Sequence, residues 1–417
     1  MSPADRRPRP SNRLRAVLDA GSFKTVCLIA LVDPHGRPVR IAGVGLVPSR
    51  GIKSGLIVDL AAAENSIRSA IAEAERMAGM RLSEIDVAIN GGRLESHIFQ
   101  VSTPVGSGTV GRDSLDRIAE AGRAYAERGG RRLLHLAELG YLIDGAEATR
   151  EPLELEASRL AAHVLAVTAD QPAISNLSHT LGRCYLTPGR LVPGPLASGL
   201  AVTSEDERRA GVIVLDIGAG VTGMAAFQDG HALFTDTVAI GGGHVTLDIV
   251  HALRTPLEEA ERIKTLYGTV VTAQSDQHDL FIHAVSGEGE GAEQRTTKAD
   301  LARIIQTRMV GLLQLVRERL ANAGLLNGSI ARIVICGGAS EIPGLQSFAE
   351  GIFKRSVREG RPNPVSGLPP VLSSAAFAGA VGVLNAGAES AAQILPTTQK
   401  IKGGYFGQVG HWLMDGF

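Results

Sequence analysis

Aromatic residues and net charge are both scarce in this chain of 417 residues. Phenylalanine, tyrosine and tryptophan together make up 4% of the sequence, and the formal net charge is −1. Base-stacking surfaces need aromatic rings, and long-range attraction to a phosphate backbone needs an excess of positive charge. The composition therefore argues against a nucleic-acid partner.

Cysteines and long apolar segments are also lacking. Cys27, Cys184 and Cys336 are widely spaced and form no C-x-x-C pair, which argues against a zinc site or a disulfide framework and fits a reducing compartment. Each lies in an apolar run, as expected for a small buried side chain. Residues 1–13 are charged and proline-rich, so we expect a disordered N-terminus rather than a signal peptide. No segment is long and apolar enough to predict a transmembrane helix.

Two common nucleotide-binding motifs are either absent or lie in the wrong structural context. The G-x-x-x-x-G-K-[ST] sequence of P-loop proteins does not occur. A G-x-G-x-x-G sequence lies at residues 218–223, but a strand and a D-G turn follow it, whereas a dinucleotide-binding fold needs a helix there. A second copy at residues 106–111 lacks the acidic residue expected about twenty positions later, and we interpret it as a connecting loop.

What the sequence does contain is one strand-and-turn unit in two copies. Residues 16–18 are a strand candidate that leads into Asp19-Ala-Gly-Ser, and residues 212–215 lead in the same way into Asp216-Ile-Gly-Ala-Gly. Further strands follow each turn. The repeat predicts an α/β fold of two related lobes, and the cleft between two lobes is a favoured place for a ligand.

Other segments surround these two units. A helix is predicted over residues 60–78, with an aspartate before it and a glycine after it as caps. Residues 91–165 and 245–320 interrupt the repeated plan, and we expect them to form accessory subdomains, one in each lobe. The second of these is predicted to hold helices around a polar loop of residues 286–298.

The two glycine turns have the chemistry of a phosphate site. Glycines let backbone N–H groups approach phosphate oxygens, and Ser22 and Thr222 add hydroxyl donors. Lys24 either reaches a phosphate or remains a solvated strand residue. Asp19 and Asp216 would repel a phosphate unless a cation lay between them, so they predict a Mg²⁺ ion held mostly through water. The alternative is a pair of Asx-type turns that bind no ligand.

These turns resemble the two phosphate loops of the actin, Hsp70 and sugar-kinase superfamily, whose fold is ribonuclease H-like. Cys-Gly-Gly-Ala-Ser-Glu-Ile-Pro at residues 336–343 is similar to the adenosine motif of that superfamily. Glu261-Arg-Ile-Lys264 resembles the helix that holds the ribose in the Hsp70 branch. The resemblance narrows to the FtsA family of bacterial cell-division proteins through residues 43–51, 203–208 and 255–264.

The resemblance implies an actin-like, duplicated two-lobed α/β fold that carries an FtsA-type subdomain 1C. The expected division of the chain is residues 14–90 for the first part of subdomain 1A, 91–165 for subdomain 1C, 166–207 for the rest of 1A, 208–244 for the first part of 2A, 245–320 for 2B, 321–386 for 2A and the return to 1A, 387–404 for a flexible linker, and 405–417 for an amphipathic membrane-targeting helix.

The resemblance also implies that ATP and Mg²⁺ bind between the lobes. Asp19 and Asp216 would serve the metal. The residues that would contact the nucleotide are Gly21, Ser22, Lys24, Gly218, Ala219, Gly220, Thr222, Gly242, Glu261, Lys264, Gly337, Gly338, Ala339 and Glu341.

Hydrolysis is a separate question, because it needs a group that positions or deprotonates the attacking water. Residues 194–200 are similar to the Hsp70 sequence E-P-T-A-A-A-L, but Gly194 stands at the glutamate position. We therefore expect ATP to bind tightly and to be hydrolysed slowly or not at all.

The family's partners are implied in the same way. Arg308 falls at the position where the family binds the C-terminal peptide of the tubulin-like protein FtsZ, and a basic residue there can pair with an acidic peptide. Without the resemblance, a solvated helix face would be the simpler interpretation. The family also implies self-association into actin-like filaments and contact with other division proteins.

The last residues are predicted to bind a lipid surface. If residues 405–417 are helical, they form one apolar face that suits a membrane interface, made of Phe406, Val409, Trp412, Leu413 and Phe417. Two glycines weaken this helix, so binding should depend on avidity from polymerised copies. The alternative is a tail that packs on its own domain. The family resemblance implies a location at the cytoplasmic face of the inner membrane, at the division site.

Three other functions use similar folds. A small-molecule kinase would need a catalytic aspartate and a substrate pocket, and the sequence contains no such motif. An Hsp70-like chaperone would need a C-terminal substrate domain, for which too few residues remain. A type IV pilus assembly protein stays open as the alternative, because neither the tail nor the insertion at residues 91–165 discriminates well against it.

Overall fold

A computed structural model describes residues 13–148, 151–286, 292–328 and 330–387. The predicted disordered N-terminus lies outside these residues, except that Arg13 begins the first strand. The predicted linker lies outside them from residue 388 onward. The predicted membrane helix, with Phe406, Val409, Trp412, Leu413 and Phe417, lies outside them entirely.

The first part of the chain forms three antiparallel strands, a short hairpin, a long helix and a further strand. These are β1 (Arg13–Ala20), β2 (Lys24–Val32), β3 (Pro38–Pro48), β4 (Ile52–Lys53), β5 (Leu56–Ile57), α1 (Leu60–Ala78) and β6 (Glu84–Ile89). An inserted segment follows, with β7 (Glu95–Pro104), α2 (Arg112–Ala126), β8 (Arg131–Ile143), β9 (Ala146–Ala148) and β10 (Arg159–Asp170). The first lobe then resumes with α3 (Gln171–Arg183), β11 (Thr187–Pro193), α4 (Gly194–Val202) and α5 (Glu205–Ala210).

The second part repeats the plan and adds a helical subdomain of its own. Its elements are β12 (Val212–Ile217), β13 (Thr222–Gln228), β14 (His231–Val238), α6 (Gly242–Leu253), α7 (Leu257–Tyr267), β15 (Leu280–Ala284), β16 (Glu293–Thr297), α8 (Lys298–Asn322), β17 (Arg332–Cys336), α9 (Leu345–Phe353), β18 (Ser356–Glu359) and α10 (Ala378–Asn385).

The strand order of the two lobes shows the duplication directly. In the first sheet the order is β3-β2-β1-β6-β11, and in the second lobe it is β14-β13-β12-β17-β18. The first three strands of each set pair antiparallel, and the last two join them in parallel. The duplicated, two-lobed α/β fold expected from the two aspartate turns is therefore confirmed.

Helix α1 agrees with its prediction at both ends. The Asp59 side chain accepts a hydrogen bond from the backbone N–H of Ala62, and Gly79 adopts the left-handed conformation at the C-terminus. The helix packs on β3 at very short range, because a Cβ atom added to Gly45 would overlap the backbone carbonyl of Ala70. The glycines of β3 thus allow the helix backbone to approach the sheet.

The inserted segment is joined to the sheet of the second lobe. Strand β7 pairs with β14 at one position, where Glu95 faces Asp236. Beside it, the Ser96 hydroxyl donates to the backbone carbonyl of Thr235 at 2.8 Å and accepts from the backbone N–H of the same residue, also at 2.8 Å. One continuous sheet, β18-β17-β12-β13-β14-β7-β10-β8-β9, therefore spans the second lobe and the insertion.

The polar loop predicted at residues 286–298 is partly a strand. Residues 293–297 form β16, which pairs antiparallel with β15. This strand was not predicted because its sequence is charged and rich in threonine. The strand belongs to a small two-stranded sheet, and most of its side chains are exposed. Apolar periodicity is the main signal of a strand, and such an exposed pair has little of it.

The largest apolar core links the two lobes rather than belonging to one. It includes Leu18 and Ile67 of the first lobe, continues through Ala197 of α4, and reaches Val214 and Cys336 on the second sheet. Cys27 and Cys336 are fully buried, whereas Cys184 is partly exposed. In the parts of the chain that the structure describes, no helix has both the length and the apolar character needed to cross a lipid bilayer.

Candidate functional site

The cleft between the lobes is built from the ends of parallel strands. β1, β6 and β11 run in parallel in the first lobe, and Asp19, Asn90 and Gly194 lie at or just beyond their C-terminal ends. In the second lobe, β12 and β17 also run in parallel and end near Asp216 and Gly337. Because parallel strands end at the same sheet edge, both lobes present their polar groups to the same cleft.

A cavity of about 600 Å³ occupies this cleft. Its volume is in the range of pockets that hold small molecules and cofactors. Every residue predicted to contact the nucleotide or the metal lines it, with the exception of Thr222. The structure therefore brings together residues that are more than three hundred positions apart in the chain, from Asp19 to Glu341.

Thr222 differs from the prediction. Its side chain is fully buried, and its hydroxyl donates to the backbone carbonyl of Ile240 at 2.8 Å. The residue lies in β13, antiparallel to β12, and is not among the residues that line the cavity. Its hydroxyl is thus committed to fixing the chain that enters α6, and it is unavailable as the phosphate donor that the sequence suggested.

The two aspartates lie deep in the cavity with different partners. Asp19 accepts a hydrogen bond from the side-chain amide of Asn90 at 2.8 Å, and the Ser198 hydroxyl donates to Asp216. The pKa of Asp216 is raised to about 6. Burial is the largest cause, the Ser198 hydrogen bond opposes the shift, and the neighbouring charge of Asp19 adds to it. Burial likewise raises the pKa of Asp19. Two neighbouring carboxylates that are costly to ionise favour a cation between them.

Lys24 lies close to these two aspartates and is not a solvated strand residue. Its ammonium group lies 4.5 Å from the ring centroid of Phe377, at the edge of the cavity. Burial lowers the pKa of Lys24, whereas Asp19, Asp216 and Glu341 raise it. The side chain therefore supplies one positive charge among three carboxylates, and it lies where it can also approach an anionic ligand.

Glycine backbones press directly against both aspartates. A Cβ atom on Gly337, which has a φ of +85°, would overlap a carboxylate oxygen of Asp216. A Cβ atom on Gly379 would lie 2.7 Å from a carboxylate oxygen of Asp19. The absence of a side chain at these two positions thus lets the main chain lie directly against both carboxylates.

The donor set of the cavity fits a largely hydrated Mg²⁺ ion. In the described ranges of the chain, no group of three or more histidine, cysteine, aspartate or glutamate side chains is arranged to hold a metal. Mg²⁺ is commonly bound by one or two carboxylates, with phosphate and water completing its shell. Asp19 and Asp216 match that pattern, and a soft metal would find no sulfur or imidazole ligand among the cavity-lining residues.

The residues expected to hold a ribose form a closed hydrogen-bonded group. The Lys264 ammonium donates to the Glu261 carboxylate at 2.7 Å and to the Thr246 hydroxyl at 2.8 Å, and the Thr246 hydroxyl donates to Glu261 at 2.6 Å. This group fixes both α7 side chains at the rim of the cavity. Residues 338–341 form a 3₁₀ turn that leads into Ile342 and Pro343, which also line the cavity.

Several residues of the site were not predicted from the sequence. Asn90 and Ser198 hydrogen-bond to the two aspartates, and Thr246 hydrogen-bonds to Glu261 and Lys264. Gly379 and Ala376 form part of the wall. A partial signal was available for Asn90, since a polar residue directly after a buried strand often faces a site at that sheet edge. No sequence signal identifies the other four.

Arg308 lies on the second lobe, away from the cavity. Its guanidinium makes two hydrogen bonds to the carboxylate of Asp248 on α6, at 2.6 and 2.7 Å. The Arg308 side chain keeps 36% of its surface exposed and that of Asp248 keeps 29%. The predicted partner-binding arginine is therefore held in a fixed orientation but remains accessible on one side.

The fold is similar to that of solved structures of other proteins. It matches a type IV pilus biogenesis complex, PilM–PilN, with a TM-score of 0.64 and 19% sequence identity, covering 92% of this chain and 100% of that chain. It also matches MreB5 of Spiroplasma citri bound to ADP, with a TM-score of 0.52 and 14% identity, covering 90% of this chain and 95% of that chain. At these identities the likeness concerns the actin-like fold alone.

Matches to family models and to relatives identify the family of the chain, which the likeness of folds does not. The model "Cell division protein FtsA" matches residues 213–382, and the model "SHS2 domain inserted in FTSA" matches residues 91–168. The chain is 35% identical to the cell division protein FtsA of Rhizobium meliloti (strain 1021) over 390 residues, covering 91% of this chain and 88% of that protein. It is 30% identical to the FtsA of Escherichia coli (strain K12) over 412 residues, covering 96% and 97%. The chain therefore belongs to the FtsA family of cell division proteins.

Proposed function

We propose that this protein binds ATP and Mg²⁺ between its lobes and anchors FtsZ filaments to the cytoplasmic face of the inner membrane at the division site. One observation carries the nucleotide part of the proposal. The Asp19 turn, the Asp216 turn and the Glu261–Lys264 pair all face a single cavity of about 600 Å³. MreB5 of Spiroplasma citri, which shares the fold, is bound to ADP in one solved structure and to AMPPNP in another.

Different residues of the cavity would contact the phosphates, the Mg²⁺ ion and the ribose of the nucleotide. Backbone N–H groups of the two glycine turns would donate to phosphate oxygens, and Lys24 would add a charge-assisted contact. Asp19 and Asp216 would accept hydrogen bonds from the water shell of Mg²⁺, which offsets the phosphate charge. Glu261 and Lys264 would hold the ribose, with Thr246 keeping both in place.

We expect turnover to be slow or absent. Gly194 begins α4 at the position where the Hsp70 sequence has a glutamate, and a glycine offers no group to activate water. Single-turnover and steady-state assays of purified protein with Mg²⁺ should show retained ATP and little phosphate release. A rate of several turnovers per second would contradict this expectation.

The FtsZ part of the proposal is tested at Arg308. An acidic peptide would meet the exposed side of its guanidinium, which the Asp248 pair already orients. Binding of the FtsZ C-terminal peptide should weaken about tenfold in Arg308→Ala, the loss typical of one charge-assisted hydrogen bond. Arg303→Ala is the matched control, because Arg303 lies on the same helix and pairs only locally with Asp300, at 2.9 Å. Equal peptide affinities in the two variants would count against the site.

The membrane part rests on the sequence of residues 405–417. Deletion of residues 403–417 should abolish co-sedimentation with vesicles that contain anionic lipid, while the melting temperature of the folded body stays unchanged. Because two glycines weaken the helix, vesicle binding by the intact chain should rise steeply with self-association. Unchanged sedimentation after the deletion would contradict the anchor.

A role in type IV pilus assembly is the alternative that the sequence left open. The likeness to the PilM–PilN complex, at 19% identity, concerns the fold. The two FtsA family models and the relatives at 30–35% identity favour the division role. No observation in the described residues favours the pilus role over it.

A further inference from the structure

Two neighbouring strand ends in the floor of the cavity are complementary in shape. β6 and β11 pair in parallel with Ile89 opposite Pro193, so the residues that follow, Asn90 and Gly194, lie side by side. A Cβ atom built on Gly194 would overlap the amide oxygen of Asn90 and would lie 2.8 Å from its Cγ atom. The Asn90 amide thus occupies the space that any side chain at position 194 would need.

The other end of the amide is directed to the metal site. The Asn90 side-chain nitrogen donates to one carboxylate oxygen of Asp19 at 2.8 Å. Behind Asn90 is a second, small cavity that is lined mainly by apolar side chains, including Ile52, Ile57 and Leu177. This wall offers the amide no competing side-chain partner, so the packing on both sides keeps the donor aimed at Asp19.

The chemistry of an amide suits this place. A neutral N–H donor stabilises a carboxylate in its ionised form and holds it in one orientation. It does not neutralise the charge of the carboxylate, whereas a lysine at this position would. An amide also cannot accept the proton of an attacking water. A glutamate at position 194 and an asparagine at position 90 would compete for the same volume.

From this geometry we infer that Asn90 is a positioning residue for the Mg²⁺ of the bound nucleotide, acting through Asp19, and that position 194 must be glycine because Asn90 takes its side-chain space. The inference rests on the proposed function, since it concerns the same ATP and Mg²⁺ site. It adds a specific role for Asn90 and a structural reason for the missing glutamate.

The test compares ATP affinity with and without the metal. Asn90→Ala removes both the amide and its volume, whereas Asn90→Leu removes the donor but keeps a side chain of similar size against Gly194. Asn385→Ala is the matched control, because its amide donates to the backbone carbonyl of Leu200 at 3.4 Å and does not line the cavity. Binding of ATP is measured by calorimetry in Mg²⁺ and again in excess EDTA, and the melting temperature of each unliganded variant is recorded.

Both Asn90 variants should bind ATP about tenfold more weakly in Mg²⁺, the effect of losing one hydrogen bond to a charged group, and within about twofold of the unmodified protein in EDTA. Asn385→Ala should match the unmodified protein in both conditions. Equal losses with and without Mg²⁺, or no loss in either Asn90 variant, would overturn the inference.

A second variant pair tests the shared volume. Gly194→Ala should push the Asn90 amide away from Asp19 and reproduce the Mg²⁺-specific loss, although it alters neither residue. In the Asn90→Ala background the same change should add nothing, because the space is already open. Additive losses would overturn the steric argument. If the unmodified protein bound no ATP in either condition, the proposed function itself would fail, and that result is distinct from any difference among the variants.

Discussion

At the scale of single residues, the groups that surround a carboxylate distinguish a ligand-binding role from a structural role. Asp216 faces the cavity, where burial raises its pKa to about 6. Glu207 at the N-terminus of α5 is the opposite case. Burial alone would raise the pKa of Glu207, but hydrogen bonds from Arg358 at 2.8 Å and from the Ser204 backbone N–H lower it to about 2. A carboxylate whose pKa is raised beside a cavity indicates a ligand site. A carboxylate whose pKa is lowered by close ion pairs indicates a structural role within the fold.

Glu207 should therefore contribute stability that depends on pH. Its folded-state pKa is about 2 against an ordinary value of 4.5, so the contribution is present above pH 4.5 and is lost as the pH falls towards 2. Glu207→Gln should lower the free energy of unfolding by about 2 kcal/mol at neutral pH, and this difference should shrink in acid. Denaturant unfolding of both proteins across this range measures it. Glu205→Gln, an exposed pair partner on the same helix, should show little effect at any pH.

At the scale of elements, the contact between α1 and β3 depends on the absence of side chains. Added Cβ atoms on Gly43 and Gly45 would overlap the carbonyl oxygens of Ala74 and Ala70 in the helix. Backbone atoms of a capped helix cannot move aside singly, as the end of a flexible side chain could. The helix and strand must therefore separate to admit a methyl group, and β2, which carries Lys24, is the strand paired with β3.

Gly45→Ala should thus be strongly destabilising, by about 3 kcal/mol, because overpacking forces a shift of backbone atoms. Gly140→Ala is a suitable control, since Gly140 also lies in a strand, β8, and an added Cβ atom there meets no atom within 4 Å. Chemical denaturation of the two variants gives the comparison. Similar unfolding free energies for both would show that the helix can move away from the sheet at little cost.

At the scale of the whole molecule, a ligand in the cleft touches both lobes at once. Asp19 and Lys24 come from the first sheet, while Asp216, Glu261 and Gly337 come from the second lobe. Apolar packing around α4 and α10 already joins the lobes on one side of the cleft. Binding in the cleft should therefore stabilise the folded molecule as a unit and not one lobe alone.

Mg²⁺ and ATP together should raise the melting temperature, with about 2.7 kcal/mol of added stability at a ligand concentration one hundred times the dissociation constant. Asp216→Asn should fold but lose most of the part of this gain that depends on Mg²⁺. Asp206→Asn, at an exposed position of α5, should keep all of it. Differential scanning calorimetry with ATP, with and without Mg²⁺, tests the expectation. A gain in Asp216→Asn as large as that in the unmodified protein would contradict a metal role for Asp216.

Much of the architecture was predictable because its signals are local. Helix α1 follows from its apolar period and its caps at Asp59 and Gly79, and the two aspartate turns follow from short strands around glycines. The strand β16 was missed because an exposed, charged strand has almost no apolar signal. The partner of the Thr222 hydroxyl was missed because it depends on the position of Ile240, eighteen residues later in the chain.

The sequence by itself determined the duplication, the aspartates and glycines that face the cleft, and the family resemblance, since each of these lies within a few consecutive residues. Only the tertiary structure decided which side chains support them. Asn90 meets Asp19 across 71 positions of the chain, and Ser198 meets Asp216 because α4 packs beneath the second sheet. Contacts of this kind depend on how two sheets align their strand ends, and no local pattern of residues specifies that alignment.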